Sequence, residues 1–336
     1  MKTLFLTNRF FSFFLIIFSF NFLFLSPVWG LDYPNKPINL VVPFGPGGPA
    51  DLQARILAEA ASKELGVPIV VVNKPGPAGA LGASLVAKEK PDGYTFLVTP
   101  IGTVTTNVWL FQDLSYKKDD FIPVFISAIS PNCIAVKADS SWTTFKDFVD
   151  AVKKNPGKVR SGSAAPTISL LWESLLKHEG WDITHLMYKS AAQPAVALMG
   201  GHIDVITDSL IPLIAHIEAG GVRLLAIIGS KRIKNYPNVP TLYELGYKTF
   251  AKDFYITFFA PAGLPQPVME KFVKAFEKVL SQPNVQNQIE RTGLIPTFVG
   301  PAEFSKLVDE EYKFYRELTK GKKWIRLSDD GPKTRP

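Results

Sequence analysis

The chain has 336 residues, 46% hydrophobic and 20% charged, with a formal charge of +7 and a single cysteine. One cysteine excludes an internal disulfide and a thiolate metal cluster. The lysines are scattered through predicted helices, without the dense basic stripe and interleaved aromatics of a nucleic-acid binder.

Residues 1–30 hold no acidic side chain: Lys2 and Arg9 precede an apolar run over 10–25, which ends in Ser26, Pro27, Val28, Trp29 and Gly30. Basic head, apolar middle and small-residue exit follow the order of a secretory signal, predicting export and cleavage near Gly30. The run falls short of the roughly 20 apolar residues that a spanning helix needs, and no cysteine stands at the exit for lipid attachment. Removing Lys2 and Arg9 takes the charge from +7 to +5. What remains is long enough for two cores.

Residues 38–44 are rich in Val and Ile and break at Gly45-Pro46-Gly47-Gly48-Pro49, after which Leu52, Ile56, Ala60 and Ala61 recur at helical spacing up to Leu65. A second β-branched run, 68–72, ends at Asn73-Lys74-Pro75-Gly76-Pro77; residues 81–87 are helical in pattern and 94–98 give a third strand. Strands separated by helices of this length predict parallel pairing through crossover helices, an α/β layer fold. A loop-rich passage covers 113–120, and 134–136 is strand-like, with Cys133 read as a buried strand residue. Thr144 with Asp147 three residues on is a capping box for a helix to about Asn155. Val159 leads into the small-residue loop 161–167 and an apolar helix to Leu176. Strands are predicted over 185–188, 203–206, 222–228 and 254–259, then helices around 268–280, 285–292 and 302–318.

Three strand-to-helix turns, 45–51, 74–82 and 161–167, are rich in Gly, Ser, Thr and Pro. Open α/β sheets bind ligands outside the carboxyl ends of their strands, where such turns lie. Glycine lets backbone N–H groups approach an anion, and the following helix N-terminus adds partial positive charge. Converging turns of this kind suit a carboxylate or phosphate, while the same residues also make ordinary tight turns. Catalytic signatures are missing. There is no phosphate-binding Gly-x-x-x-x-Gly-Lys and no dinucleotide fingerprint, and the Gly162-Ser163 pair completes no nucleophile elbow because residue 165 is Ala. His178, His185, His202 and His216 form no pair at metal-ligand spacing, and Asp204 and Asp208 stand at a strand end.

The turns themselves carry a resemblance. The stretch Pro43-Phe44-Gly45-Pro46-Gly47-Gly48-Pro49-Ala50-Asp51, with Ala54-Arg55 just beyond, resembles the first-strand signature of the Bug family, periplasmic solute-binding components of tripartite tricarboxylate transporters. Residues 73–82 resemble its second signature and Pro91-Asp92-Gly93-Tyr94-Thr95 its third. Tyr188-Lys189, Gly200-Gly201-His202-Ile203-Asp204, Pro240-Thr241 and Ala260-Pro261-Ala262-Gly263 follow in the family's order, so the likeness runs from Tyr33 to about Leu318.

The resemblance implies a periplasmic-binding-protein fold: two α/β lobes, each a mostly parallel sheet flanked by helices, joined by crossing strands. Lobe 1 would hold 31–130 and 255–336, and lobe 2 would hold 131–254. It implies a small carboxylate bound between the lobes, with Phe44, Gly47, Gly48, Ala50, Asp51 and Thr103 on the first lobe and Ser163, Ala164 and Thr167 on the second. Asp208 would stand at the inner rim to accept a hydrogen bond from a ligand hydroxyl or ammonium group. Each has a plainer reading: Phe44 as a core plug, Asp51 and Thr167 as helix caps, Lys189 as a solvated loop lysine. Ala50 stands where the family commonly has threonine, and Ala164 and Pro166 where it has glycine; these changes make the cleft less polar and favour a ligand with an apolar or aromatic body. The implied partners are membrane transporter subunits, reached by hinge closure in the periplasm, with no cofactor, no catalysis and no nucleic acid. Two other readings stay open at this level. One is an exported hydrolase of carboxylate esters with His185 as base near Ser163 or Thr167. The other is a binding protein that serves a sensor.

Overall fold

The computed structural model describes residues 33–188, 190 and 192–321; the predicted signal segment, Lys189 and the residues after Gly321 lie outside them. Two mixed β-sheets organise these residues. The first is built from β1 (Ile38–Val42), β2 (Ile69–Asn73), β3 (Thr95–Pro100), β4 (Phe121–Ile129), β10 (Tyr255–Pro261) and β11 (Ile295–Val299), in the order β11-β4-β10-β3-β1-β2. The second is built from β5 (Asn132–Lys137), β6 (Val159–Ser163), β7 (Ile183–Met187), β8 (Val205–Ser209) and β9 (Val222–Ile228), in the order β7-β6-β8-β5-β9.

Helices cover both faces of each sheet, because both faces are apolar. Against one face of the first sheet lie α1 (Pro49–Leu65), α9 (Gln266–Leu280) and α10 (Pro283–Arg291), around a core that includes Leu40, Phe96, Phe125, Phe258, Phe272 and Phe276. Its aromatic rings are layered, Phe96 on Phe272 at 3.7 Å and Phe125 on Phe258 at 4.3 Å between centroids. The opposite face carries α2 (Ala80–Ala87), α3 (Gly102–Thr105), α4 (Asn107–Leu110) and α11 (Pro301–Thr319). On the second sheet, α5 (Phe145–Lys154) and α6 (Pro166–Glu179) bury Phe148, Trp172 and Trp181 against Ile134 and Val136. Its other face is covered by α7 (Ala192–Met199) and α8 (Ile214–Glu218), over Cys133, Ala135 and Ile206. Cys133 is fully buried, and burial pushes its thiol well above the ordinary range, as suits a strand residue. Thr144 caps α5 with the predicted reciprocal bonds to Asp147.

The parallel pairing predicted from the strand-helix alternation holds for β1 with β2 and β3, and for β6 with β7 and β8. The other half of each sheet is antiparallel, because β4, β5, β9 and β10 carry the chain between the sheets and return. "Mostly parallel" therefore becomes mixed. Strand β4 was not predicted at all. It contains Pro123, and proline is tolerated inside a sheet at a bulge; here the register with β10 shifts between Phe258 and Phe259, beside the Phe259–Pro123 pair.

The sheets also touch away from the crossing strands. Phe314 and Leu318 of α11 pack against the second core, and Tyr315 shares a cluster with Leu110, Phe111 and Leu170. Among the described residues no helix is long and apolar enough to cross a membrane.

Candidate ligand-binding site

Strands β1 and β3 are parallel neighbours in the first sheet, as are β6 and β8 in the second, and the turns that leave their carboxyl ends hold the candidate site residues. On the first lobe Pro49 opens α1 and has no N–H, while Leu52 N donates back to the Gly48 carbonyl (3.0 Å). That leaves the amides of Ala50 and Asp51 as the outward donors of the first turn. The helix dipole adds positive character there. The side chain of Asp51 is turned the other way. Only 2% exposed, it accepts from Gly47 N (2.9 Å), Arg55 Nε (2.9 Å) and Nη2 (3.0 Å), and Asn73 Nδ2 (2.8 Å). Burial pushes its carboxyl up, but these donors together hold it below the usual carboxylate range. Asn73 also donates to the Phe44 carbonyl (3.1 Å) and accepts from Arg55. Asp51, Arg55 and Asn73 thus tie the first turn to the end of β2; Arg55 and Asn73 lay within the family-like motifs but carried no assigned role.

Phe44 is half-buried and packs against the first core. A Cβ on Gly79 would come 2.8 Å from its Cζ, so the second glycine-rich turn lies flat on this ring. Thr103, in α3, is buried; its hydroxyl accepts from Thr99 (2.7 Å) and its carbonyl accepts from Tyr116 Oη.

On the second lobe Ser163 is fully buried, with its hydroxyl 2.5 Å from Ser169 Oγ and 3.1 Å from His185 Nε2. His185 Nδ1 meets Ser161 Oγ at 2.8 Å, and Trp172 Nε1 donates to that same oxygen (3.0 Å). Trp172 can only donate. Which nitrogen of His185 carries the proton sets the direction of its bonds to Ser161 and Ser163. Burial lowers its pKa to about 4, so it stays neutral. Nδ1 is held by Ser161 and not by a carboxylate, so the Ser–His pair lacks the orienting acid of a catalytic triad.

Ala164 N donates to Asp208 Oδ2 at 2.5 Å, and Ser209 N to Oδ1 at 2.7 Å. Asp208 is 3% exposed and, unlike Asp51, has no cation beside it among the described residues; burial raises its pKa to about 6 against the pull of the two amides. Each lobe thus uses an aspartate to hold its own turn. Gly47 and Ala164, two of the sequence-predicted contacts, have their amides engaged inside their lobes.

The lobes meet at Gly102 and Thr167. A Cβ on Gly102 would fall 2.2 Å from Thr167 Oγ1 and 3.2 Å from Thr167 Cβ, so only glycine admits the N-terminus of α6 at this distance. A second contact brings Gly293 against Ile211 and Ile214. No group of His, Cys, Asp and Glu among the described residues could hold a metal ion.

Comparison with known proteins agrees with this architecture. Residues 53–322 match the family model described as the tripartite tricarboxylate transporter family receptor. A protein of Agrobacterium vitis, the UPF0065 protein in the TAR-I ttuE-ttuC' intergenic region, is 36% identical over 84% of this chain and 82% of its own. Among solved structures, the periplasmic binding protein BugD is 31% identical with a TM-score of 0.75, covering 86% of this chain and 98% of its own. A protein of R. palustris solved with adipate is 28% identical (TM-score 0.78; 86% and 98% covered). MatC from Rhodopseudomonas palustris, with bound malate, is also 28% identical (TM-score 0.73; 85% and 100% covered).

Proposed function

This chain belongs to the tripartite tricarboxylate transporter receptor family, a family of solute-binding proteins rather than enzymes, and on that premise we propose that it captures a small carboxylate in the crevice between its lobes. The carrying observation is that the Gly102 turn of the first lobe, which leaves the strand parallel and next to β1, meets the N-terminus of α6 on the second lobe at Thr167. The N-terminus of α6 carries partial positive charge at this junction, and the α1 turn leaves the same end of the first sheet, which suits an anion without a lysine or arginine to bind it. Relatives solved with adipate and with malate support the carboxylate class.

Lobe 1 is taken as 31–130 with 255–336 and lobe 2 as 131–254, hinged at the two crossings. The ligand contacts are drawn from Phe44, Gly47, Gly48, Ala50, Asp51 and Thr103 on one side and Ser163, Ala164, Thr167 and Asp208 on the other, with Asp51 and Asp208 acting chiefly through the turns they hold. Ala50 and Ala164 leave a crevice poor in side-chain hydroxyls at those turns, favouring an acid with an apolar body. After export and signal removal near Gly30, the closed form is presented in the periplasm to the membrane subunits of a tripartite tricarboxylate-type transporter.

A thermal-shift screen of mature protein against carboxylates and their matched amides tests this. A ligand at a hundred times its Kd stabilises the folded state by about 2.7 kcal/mol. A shift of several degrees with one acid and none with its amide is the expected result. No shift across mono-, di- and tricarboxylates would overturn the reading.

A further inference from the structure

The junction of α3 and α4 carries the threonines Thr103, Thr105 and Thr106, and their hydroxyls differ in a way the sequence does not reveal. Thr103 accepts from Thr99 inside the lobe, and Thr105 donates to the Ile101 carbonyl at 3.1 Å. Thr106 is fully buried, and its Oγ1 has no hydrogen-bond partner among the described residues. A buried hydroxyl left without a partner destabilises a fold, so such a group asks for an explanation.

Its position supplies one. Thr106 Oγ1 lies 3.3 Å from the point a Gly102 Cβ would occupy, and Thr167 Oγ1 of the other lobe lies 2.2 Å from that same point. Two hydroxyls, one from each lobe, therefore converge on the space that Gly102 leaves open. That space adjoins the first turn of α6, where Thr167 follows Pro166. The donors competing for an anion there are few, because Gly47 N and Ala164 N are held by Asp51 and Asp208.

We propose that Thr106 is a ligand-contacting specificity residue, its hydroxyl donating with that of Thr167 to one carboxylate oxygen of the captured acid. The ligand then bridges the lobes through a single oxygen, and the crevice recognises an acceptor at this point rather than a donor. The inference rests on the carboxylate-capture reading.

The test compares wild type, Thr106→Val and Thr106→Ser, titrated calorimetrically with dicarboxylates from succinate to adipate and with malate, with melting temperatures measured without ligand. Valine keeps the shape and removes the unpartnered hydroxyl. The expected result is an unliganded melting temperature equal to or above wild type, together with a Kd weakened about tenfold or more, as for loss of a hydrogen bond to a charged acceptor. Thr106→Ser should bind within a few-fold of wild type. Thr106→Val and Thr167→Val should be non-additive when combined, since both act on one oxygen. A wild-type Kd in Thr106→Val, with only the melting temperature raised, overturns the proposal and leaves the capture reading intact. Absence of binding by wild type to every acid overturns both.

Discussion

Substituting alanine for Gly102 would load the contact between the lobes with one carbon. The added Cβ falls 2.2 Å from Thr167 Oγ1, 3.2 Å from Thr167 Cβ and 3.3 Å from Thr106 Oγ1. Thr167 must therefore rotate or withdraw by about 1 Å to reach ordinary contact, and its Cβ is attached to the rigid first turn of α6. Overpacking of this kind costs about 1–3 kcal/mol. The strain exists only while the lobes are together, because an opened hinge separates Gly102 from Thr167. Gly102→Ala should thus leave unliganded stability near wild type and weaken carboxylate binding roughly five- to hundredfold. The assays are calorimetric titration and the radius of gyration by small-angle X-ray scattering, with and without ligand. Gly102→Ala should fail to compact on adding an acid at a concentration that saturates wild type. Adding Thr167→Ala removes the atom at 2.2 Å and should restore compaction once the acid is raised to saturate the double variant. Wild-type affinity and compaction in Gly102→Ala would refute the argument that this contact belongs to the liganded form.

Asp51→Ala removes the acceptor shared by Gly47 N, Asn73 Nδ2 and Arg55 and should cost about 1.5–3 kcal/mol. Arg55→Ala, at a half-exposed guanidinium, should cost only about 1 kcal/mol; equal losses in denaturant melts would contradict the turn-clamp role. Asp208 has a folded pKa of about 6, above the unfolded value near 4, so the native state holds the extra proton between these limits. Its contribution is most favourable below pH 4 and declines by about 3 kcal/mol as pH rises to 6. His185, with a folded pKa of about 4 below an unfolded 6.5, works in the opposite sense, its contribution complete above pH 6.5 and lost as pH falls to 4. The two slopes oppose each other in wild type. Urea melts of Asp208→Asn should show stability rising more steeply with pH over 4–6, and those of His185→Gln should show it rising less steeply or falling; parallel curves would sink the assignment. Ser163→Ala should leave ester hydrolysis at the same background as wild type, since His185 has no carboxylate to orient it as a base; measurable serine-dependent turnover would reverse that.

Most of the architecture could be read from periodicity, because the βαβ units of each sheet alternate β-branched runs with amphipathic helices over short connections. The failures have local causes. Strands β4 and β11 each contain a proline, Pro123 and Pro296, and proline lowers any strand reading unless a bulge or an edge is known in advance. Strand β6 was shortened to Val159 because Ser161, Gly162 and Ser163 look like a loop; they are strand residues whose hydroxyls are satisfied by Trp172, His185 and Ser169 across the β6–α6 layer. The candidate site residues lie in turns, which composition reveals, whereas the direction of each side chain depends on partners far away in sequence. Thr103 and Thr106 are three residues apart with the same hydroxyl, and only the packing of Thr99 and of Thr167 separates the engaged one from the free one. Asn73, 22 residues from Asp51, could not be assigned to the first turn from spacing alone.

The two aspartates explain why the lobes need not share the ligand equally. Each fixes the glycine- or serine-rich turn of its lobe by accepting a backbone N–H, and each therefore places a carboxyl group close to where an anion is to sit. On the first lobe the charge is matched by Arg55, whose guanidinium reaches the surface, so the N-terminus of α1 keeps its positive character toward the crevice. On the second lobe Asp208 has, among the described residues, only the amides of Ala164 and Ser209, and on the capture reading its ionised form above pH 6 would repel an incoming carboxylate. An acid diffusing into the open crevice thus meets an attractive first lobe and a second lobe that is neutral or repulsive. On the capture reading this sets the order of events, with docking to the α1 turn first and closure of the second lobe after. It also places the burden of closure on neutral donors, the hydroxyl of Thr167 above all, which can reach an anion without an opposing charge of their own.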